Sequence, residues 1–147
     1  MSEHRATILW TRTTESFAYD DYNRNHSWAF DNGHVMAASA AVAFRGDPAA
    51  VDPEEAFVAA LSSCHMLTFL AIGAKKRLTV NSYVDDAVGH LAKNAAGKLA
   101  VTRVELRPRV AFAAAVDAET LDALHHRAHE ECFIANSVTT EIVVISA

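Results

Sequence analysis

Cys64 and Cys132 are the two cysteines of this chain, and both fall on stretches that read as helices with the thiol turned toward the core. A buried cysteine is by default a small, inert hydrophobe. Two that meet from different helices can do more, because one thiol can attack and the other resolve. Nothing local activates Cys64. It stands about three turns inside its helix, too deep for the helix dipole to favour the thiolate. A cation must come from elsewhere, and Arg24, Arg45 and Arg103 are the candidates. His65 points about 100° away from Cys64 around the helix, so it is not a paired base; it reads as a partly buried structural histidine. His125, His129 and Cys132 share metal-ligand spacing, but no fourth ligand and no CxxC accompany them. His125 and His129 read as a solvated helix face.

The helix that carries Cys64 organises the rest. In Asp52-Pro53-Glu54-Glu55-Ala56-Phe57, Asp52 is a cap and Pro53 suits the first helical position. Glu55 completes a capping box, and the two acids suit the positive end of the dipole. Ala56 to Leu61 is wholly apolar, which predicts a helix running through the core. Gly73 and Lys75-Lys76-Arg77 mark its far end. Before it come a strand over Ala6–Thr11, a polar loop over Tyr19–His26 and a strand over Ser27–Phe30. Asp31-Asn32-Gly33 is a turn, and Val35–Phe44 is a strand or short helix. After it, Leu78–Leu91 and Leu99–Val116 form a long hairpin about Asn94–Lys98. Asp117 caps a second helix with Leu121, Leu124, Ala128 and Cys132 on one face. Val138–Ser146 closes the chain as a strand. This order predicts an α+β fold in one domain over residues 1–147.

Composition narrows the function. With 147 residues and 51% hydrophobic content the chain can build a full core. A net charge of −5 speaks against nucleic acid as a partner. The apolar runs Val35–Phe44 and Val110–Val116 are far shorter than the ~20 residues that span a bilayer. No apolar segment follows Met1-Ser2-Glu3-His4-Arg5, so no signal peptide is expected and the expected location is the cytoplasm, with both thiols reduced at rest.

Asp52-Pro53-Glu54-Glu55-Ala56-Phe57, then Ser62-Ser63-Cys64, and later His129-Glu130-Glu131-Cys132-Phe133-Ile134-Ala135-Asn136-Ser137 resemble the OsmC/Ohr family of thiol peroxidases. Cys64-His65-Met66 is similar to the general OsmC-like branch. The resemblance implies antiparallel sheets around a long buried central helix, in an intertwined homodimer with two sites at its interface. It implies reduction of organic hydroperoxides, and of hydrogen peroxide less well, with a dithiol or lipoyl-type reductant and no bound cofactor or metal. It makes Cys64 the peroxidatic and Cys132 the resolving cysteine, Glu54 the catalytic carboxylate and Arg24 the catalytic arginine, with Arg45 a rival. Phe133 and Ala135 depart from the Pro and Ser usual after the second cysteine. A non-enzymatic redox or ligand-binding module on the same fold, or a metal protein using Cys132, His125 and His129, are the alternatives. On one straight helix Glu54 and Cys64 are separated by about 15 Å. Either the segment around Glu54 folds back off the helix, or the Arg–Glu pair that serves each thiol comes from a partner subunit; the dimer that the resemblance implies and the firm helix start at Asp52-Pro53 favour the partner.

Overall fold

The computed structural model describes residues 1–146. Two compact units divide the chain at Ala56 and Phe57, inside the long helix.

In the first unit, β1 (Ala6–Leu9), β2 (His26–Phe30) and β3 (Val35–Ala38) form an antiparallel sheet in that order. The predicted turn joins β2 to β3. Gly33 takes φ 84°, which its missing Cβ permits, and its N–H reaches the Phe30 carbonyl at 2.9 Å. The alanine-rich Val35–Phe44 stretch adopts both of its predicted forms in succession: β3, then a 3-10 turn over Val42–Phe44. Buried Ser39 ends the strand, its hydroxyl accepting the Asp47 N–H at 3.1 Å. Gly46 lets the returning loop pass against Ala40, where a Cβ would lie 1.4 Å from the carbonyl oxygen. Several apolar side chains of this sheet, Ile8, Leu9 and Val35 among them, are exposed.

The helix α1 (Pro53–Lys75) begins as the sequence dictates. Asp52 Oδ1 accepts the Glu55 N–H at 2.8 Å, and Glu55 accepts the Asp52 N–H at 3.1 Å. It ends with Arg77 at φ 60°, in the left-handed place usually given to glycine, while the Leu78 N–H caps the Gly73 carbonyl at 2.9 Å. Within one chain, α1 is buried along Leu61, His65, Phe69 and Gly73, four residues apart. Its other side, with Ala60, Leu67 and Ala71, is exposed although apolar. The helix is long and apolar enough to cross a membrane by length and composition, a property that the shorter runs noted in the sequence do not reveal.

The long hairpin of the second unit is bent into two sheets. β4 (Val80–Asp85) pairs with β7 (Pro108–Phe112), while β5 (Val88–Lys93) pairs with β6 (Leu99–Leu106). The predicted Leu78–Leu91 and Leu99–Val116 strands are therefore each divided. At the bend, Asp85 Oδ1 accepts the Arg107 N–H at 2.6 Å in place of a strand partner, and Pro108 has no N–H to give. Asn94–Lys98 forms the turn, with Gly97 at φ 74°. α2 (Ala118–Glu131) is capped by Asp117, which accepts the Thr120 N–H at 2.7 Å. β8 (Glu141–Val144) then lies parallel to β6, opposite Arg103–Leu106.

Two apolar clusters hold α1 in this unit. Leu61, Val104 and Leu106 pack with Phe57, Val58 and Ile142. Phe69, Leu124 and Ala128 pack with Tyr83, Val110 and Phe112. Each fully buried large side chain contributes roughly 1.5–3 kcal/mol. Gly46→Ala drives a methyl into backbone, and the substitution is expected to cost about 2 kcal/mol. A urea midpoint unchanged from wild type would show that the Arg45 loop is not held by this close approach.

Candidate active site

Cys64 is half-buried on α1 and Cys132 is 1% exposed; both are free thiols. They come within interaction range of each other, because Cys64 is one of the groups that shift the ionisation of Cys132. Cys132 closes α2 in extended conformation, its N–H returning to the His129 carbonyl at 3.4 Å. Burial pushes its thiol up to about 11, with Cys64 raising it further; the Ala135 N–H, 3.4 Å from the sulfur, opposes the rise. Cys132 at rest is therefore a protonated, shielded thiol. Cys64 is the reachable one. It borders a groove of about 1240 Å³ floored by Ala60, Leu67 and Ala71 and walled by Phe133 and Ile134. Phe133 is 81% exposed.

The two histidines between the helices correct the sequence reading. His65 is fully buried rather than partly so, and His125 is buried rather than solvated. His65 Nε2 stands 3.1 Å from His125 Nδ1, with the ring planes within 11° of parallel and the ring centres 5.4 Å apart. His125 also lies 4.5 Å from the Phe69 ring. The signal was present in the sequence: Leu121, Leu124, His125 and Ala128 fall on one helical stripe, so His125 had to face inward. His129, also read as solvated, is half-buried, with its Nδ1 enclosed. Among the described residues no three His, Cys, Asp or Glu side chains are placed to hold a metal ion. Burial drives the His65 pKa down to about 4, and His125 and His129 lower it further; burial likewise lowers His125, against Asp122 and Asp85. Beside them Asp85 joins two elements, accepting the Ser62 hydroxyl at 2.5 Å as well as the Arg107 N–H. Sequence reasoning did not single out Asp85.

Arg24, Arg45 and Glu54 belong to the first unit. Arg24 donates to the Tyr19 and Tyr22 carbonyls at 2.5 Å each, and its guanidinium lies 3.6 Å from the centre of the Tyr22 ring. With Trp10, Phe17 and His26 it lines a cavity of about 370 Å³. Arg45 is exposed, pairs with Asp20 at 2.7 Å and lies 5.8 Å from the Tyr19 ring. Both arginines thus gather around one tyrosine-rich loop. Glu54, half-buried in the first turn of α1, pairs with neither of them within this unit. Arg103 is tied to Glu105 and Glu141 on the outer sheet. The aromatic wall of Trp10, Phe17, Tyr19 and Tyr22 around Arg24 was not read from the sequence.

A long helix bearing one cysteine, paired with a second at the end of another helix and flanked by bent sheets, defines a class. The chain belongs to the OsmC-like protein family, whose profile matches residues 46–146. Over the full length of both chains it is similar to an OsmC-like protein of unknown function from Vibrio cholerae, at 52% identity and a TM-score of 0.92. The fold is also that of an organic hydroperoxide resistance protein from Elizabethkingia anophelis, at 19% identity and TM-score 0.74 over 99% of this chain and 94% of that one. One from Bacillus subtilis matches at 14% identity and TM-score 0.69, over 99% and 98% of the two chains. No curated protein matches the sequence.

The histidine pair carries a pH dependence. The unfolded chain takes up a proton at His65 near 6.5, whereas the folded chain holds it off until about 4. Stability is therefore complete above pH 6.5 and falls as pH drops toward 4, by about 3 kcal/mol for this residue. Urea unfolding between pH 7 and 4.5 is expected to show this loss, and His65→Leu to flatten it. An equal slope in the variant would assign the acid sensitivity to other groups.

Proposed function

We propose that this chain is a thiol peroxidase that reduces organic hydroperoxides, and hydrogen peroxide less well, through Cys64 and Cys132. The observation that carries this reading is the meeting of a reachable thiol on α1 with a shielded thiol at the end of α2. The Cys64 thiolate attacks the terminal peroxide oxygen, the O–O bond breaks, and an alcohol leaves after taking a proton. Cys64 is then a sulfenic acid. Cys132 loses its proton and attacks that sulfur; the S–O bond breaks, water leaves, and a disulfide remains. An external dithiol, of lipoyl type, opens it by exchange, and no cofactor is required. The apolar groove favours an alkyl or fatty-acyl hydroperoxide over a sugar or nucleotide.

Arg24 is the arginine we assign to the reaction, since it lines an aromatic cavity while Arg45 is spent on an exposed ion pair. Its charge would favour the thiolate and hold the peroxide oxygen, and Glu54 would fix its planar fork. The continuity of α1 from Pro53 to Lys75 supports a reading in which Glu54 serves a thiol other than that of its own chain. We assign the arginine and carboxylate serving each thiol to the partner in a homodimer. The exposed apolar sides of α1 and of the first sheet support that assembly. We assign the protein to the cytoplasm, where a reducing environment keeps both cysteines as thiols between turnovers.

Cys64→Ser is expected to abolish consumption of cumene hydroperoxide. Cys132→Ser should complete one turnover and stop as a sulfenic acid that dimedone traps. Loss of the first turnover in Cys132→Ser, with retention in Cys64→Ser, would reverse the roles. The shared site has its own test: heterodimers refolded from Cys64→Ser and Glu54→Ala chains should regain part of the wild-type activity, each parent being nearly inactive. Confirmed heterodimers without activity would place thiol and carboxylate on one chain.

A further inference from the structure

We propose that the His65–His125 hydrogen bond is a positioning device for the dithiol, fixing how α2 sits on α1 so that Cys132 can reach Cys64. The inference rests on the reading of the two cysteines as a redox pair.

Apart from the thiol pair itself, whose Cys132 stands at the C-cap of α2, this is among the described residues the one side-chain hydrogen bond between the two helices. The apolar contacts run from Phe69 to Leu124, Ala128 and the His125 ring. Apolar contacts hold helices together but are non-directional, so they leave slide and roll weakly defined. A hydrogen bond of 3.1 Å between nearly parallel ring planes defines both.

Its placement matters for the thiols. His65 follows Cys64 directly, so the imidazole that receives α2 is fixed next to the sulfur that Cys132 must reach. His125 precedes Cys132 by two helical turns, about 10.5 Å along α2. A tilt of about 10° around His125 therefore carries the Cys132 end by about 2 Å. That equals the length of the S–S bond to be made, and disulfide geometry tolerates little error. Among the described residues His65 Nδ1 and His125 Nε2 have no protein partner, so each imidazole spends its one protein hydrogen bond there on the other. Two leucines would fill this space without that cost, since replacing both partners by apolar groups is nearly neutral for stability. The device shapes the second chemical step, attack of Cys132 on the Cys64 sulfenic acid with loss of water, and leaves attack on peroxide untouched. His65 and His125 are positioning residues, for neither needs to touch the substrate.

The test uses His65→Leu, the double variant His65→Leu/His125→Leu, and His65→Gln, whose side-chain amide can donate to or accept from His125 Nδ1 in the place of Nε2. Circular dichroism establishes that each is folded, and the double variant keeps an apolar pair should the single one fail. First, the stability of the Cys64–Cys132 disulfide is measured in dithiothreitol redox buffers, without any peroxide. Both leucine variants are expected to weaken it about tenfold, a rise of about 30 mV in reduction potential, with His65→Gln within twofold of wild type. Second, in single turnover with cumene hydroperoxide, loss of the Cys64 thiol should stay within twofold. Disulfide formation should slow at least tenfold in the leucine variants, and dimedone adducts should accumulate. Wild-type potential and resolution rate in the leucine variants would overturn the proposal, and so would failure of His65→Gln to restore them. If the potentials shift as expected but wild type forms no disulfide with peroxide, the peroxidase reading fails and the positioning role stands.

Discussion

The second unit depends on how one stripe of α1 is buried. Leu61, His65, Phe69 and Gly73 recur every four residues, so they form a single ridge, and each apolar cluster of the unit is built against part of it. Three of the four cost nothing to bury. His65 does, because an imidazole in an apolar ridge needs a partner, and His125 is the one that α2 supplies. The ridge therefore settles more than packing. It selects which face of α2 turns inward, and the same face ends in Cys132.

Local chemistry written in adjacent residues was legible in the sequence. The Asp52–Glu55 capping box, the Asp117 cap and the Asn94–Lys98 turn all form as their residue types require. So does the apolar face through Leu124 and Ala128 that brings Cys132 toward the core. What stayed hidden depends on distant partners. Leu78–Leu91 has the composition of one strand, and only the link between Asp85 and Arg107 shows why it must break. The parallel pairing of β8 with β6 joins Glu141 to Arg103, a match that no local pattern announces. His125 was misplaced because its polarity outweighed its position on the stripe.

The candidate site divides in the same way. The thiols could be paired from helix periodicity, and the structure places them together. Arg24, Arg45 and Glu54 came from resemblance, because spacing cannot say which guanidinium is available. Arg24 rests against Tyr19 and Tyr22, held by two carbonyls and a ring face, and Arg45 is held by Asp20. A guanidinium on a ring face keeps its charge while losing part of its hydration. Such a group is ready to exchange carbonyl acceptors for an anionic one.

Both tryptophans, Trp10 and Trp28, lie in the unit that ends at Ala56, and both cysteines lie in the unit that follows. Trp10 is tied through its indole N–H to the Asn23 carbonyl at 2.8 Å, and Trp28 to His26 at 2.9 Å. The chain thus contains two separate optical and chemical reporters. Indole emission follows the arginine-bearing sheet alone, and thiol labelling follows the helical unit alone. Melting curves recorded by the two methods would coincide if the halves unfold together and part if they do not. With no residue changed, the protein can reveal whether Arg24 and the two thiols share one cooperative structure.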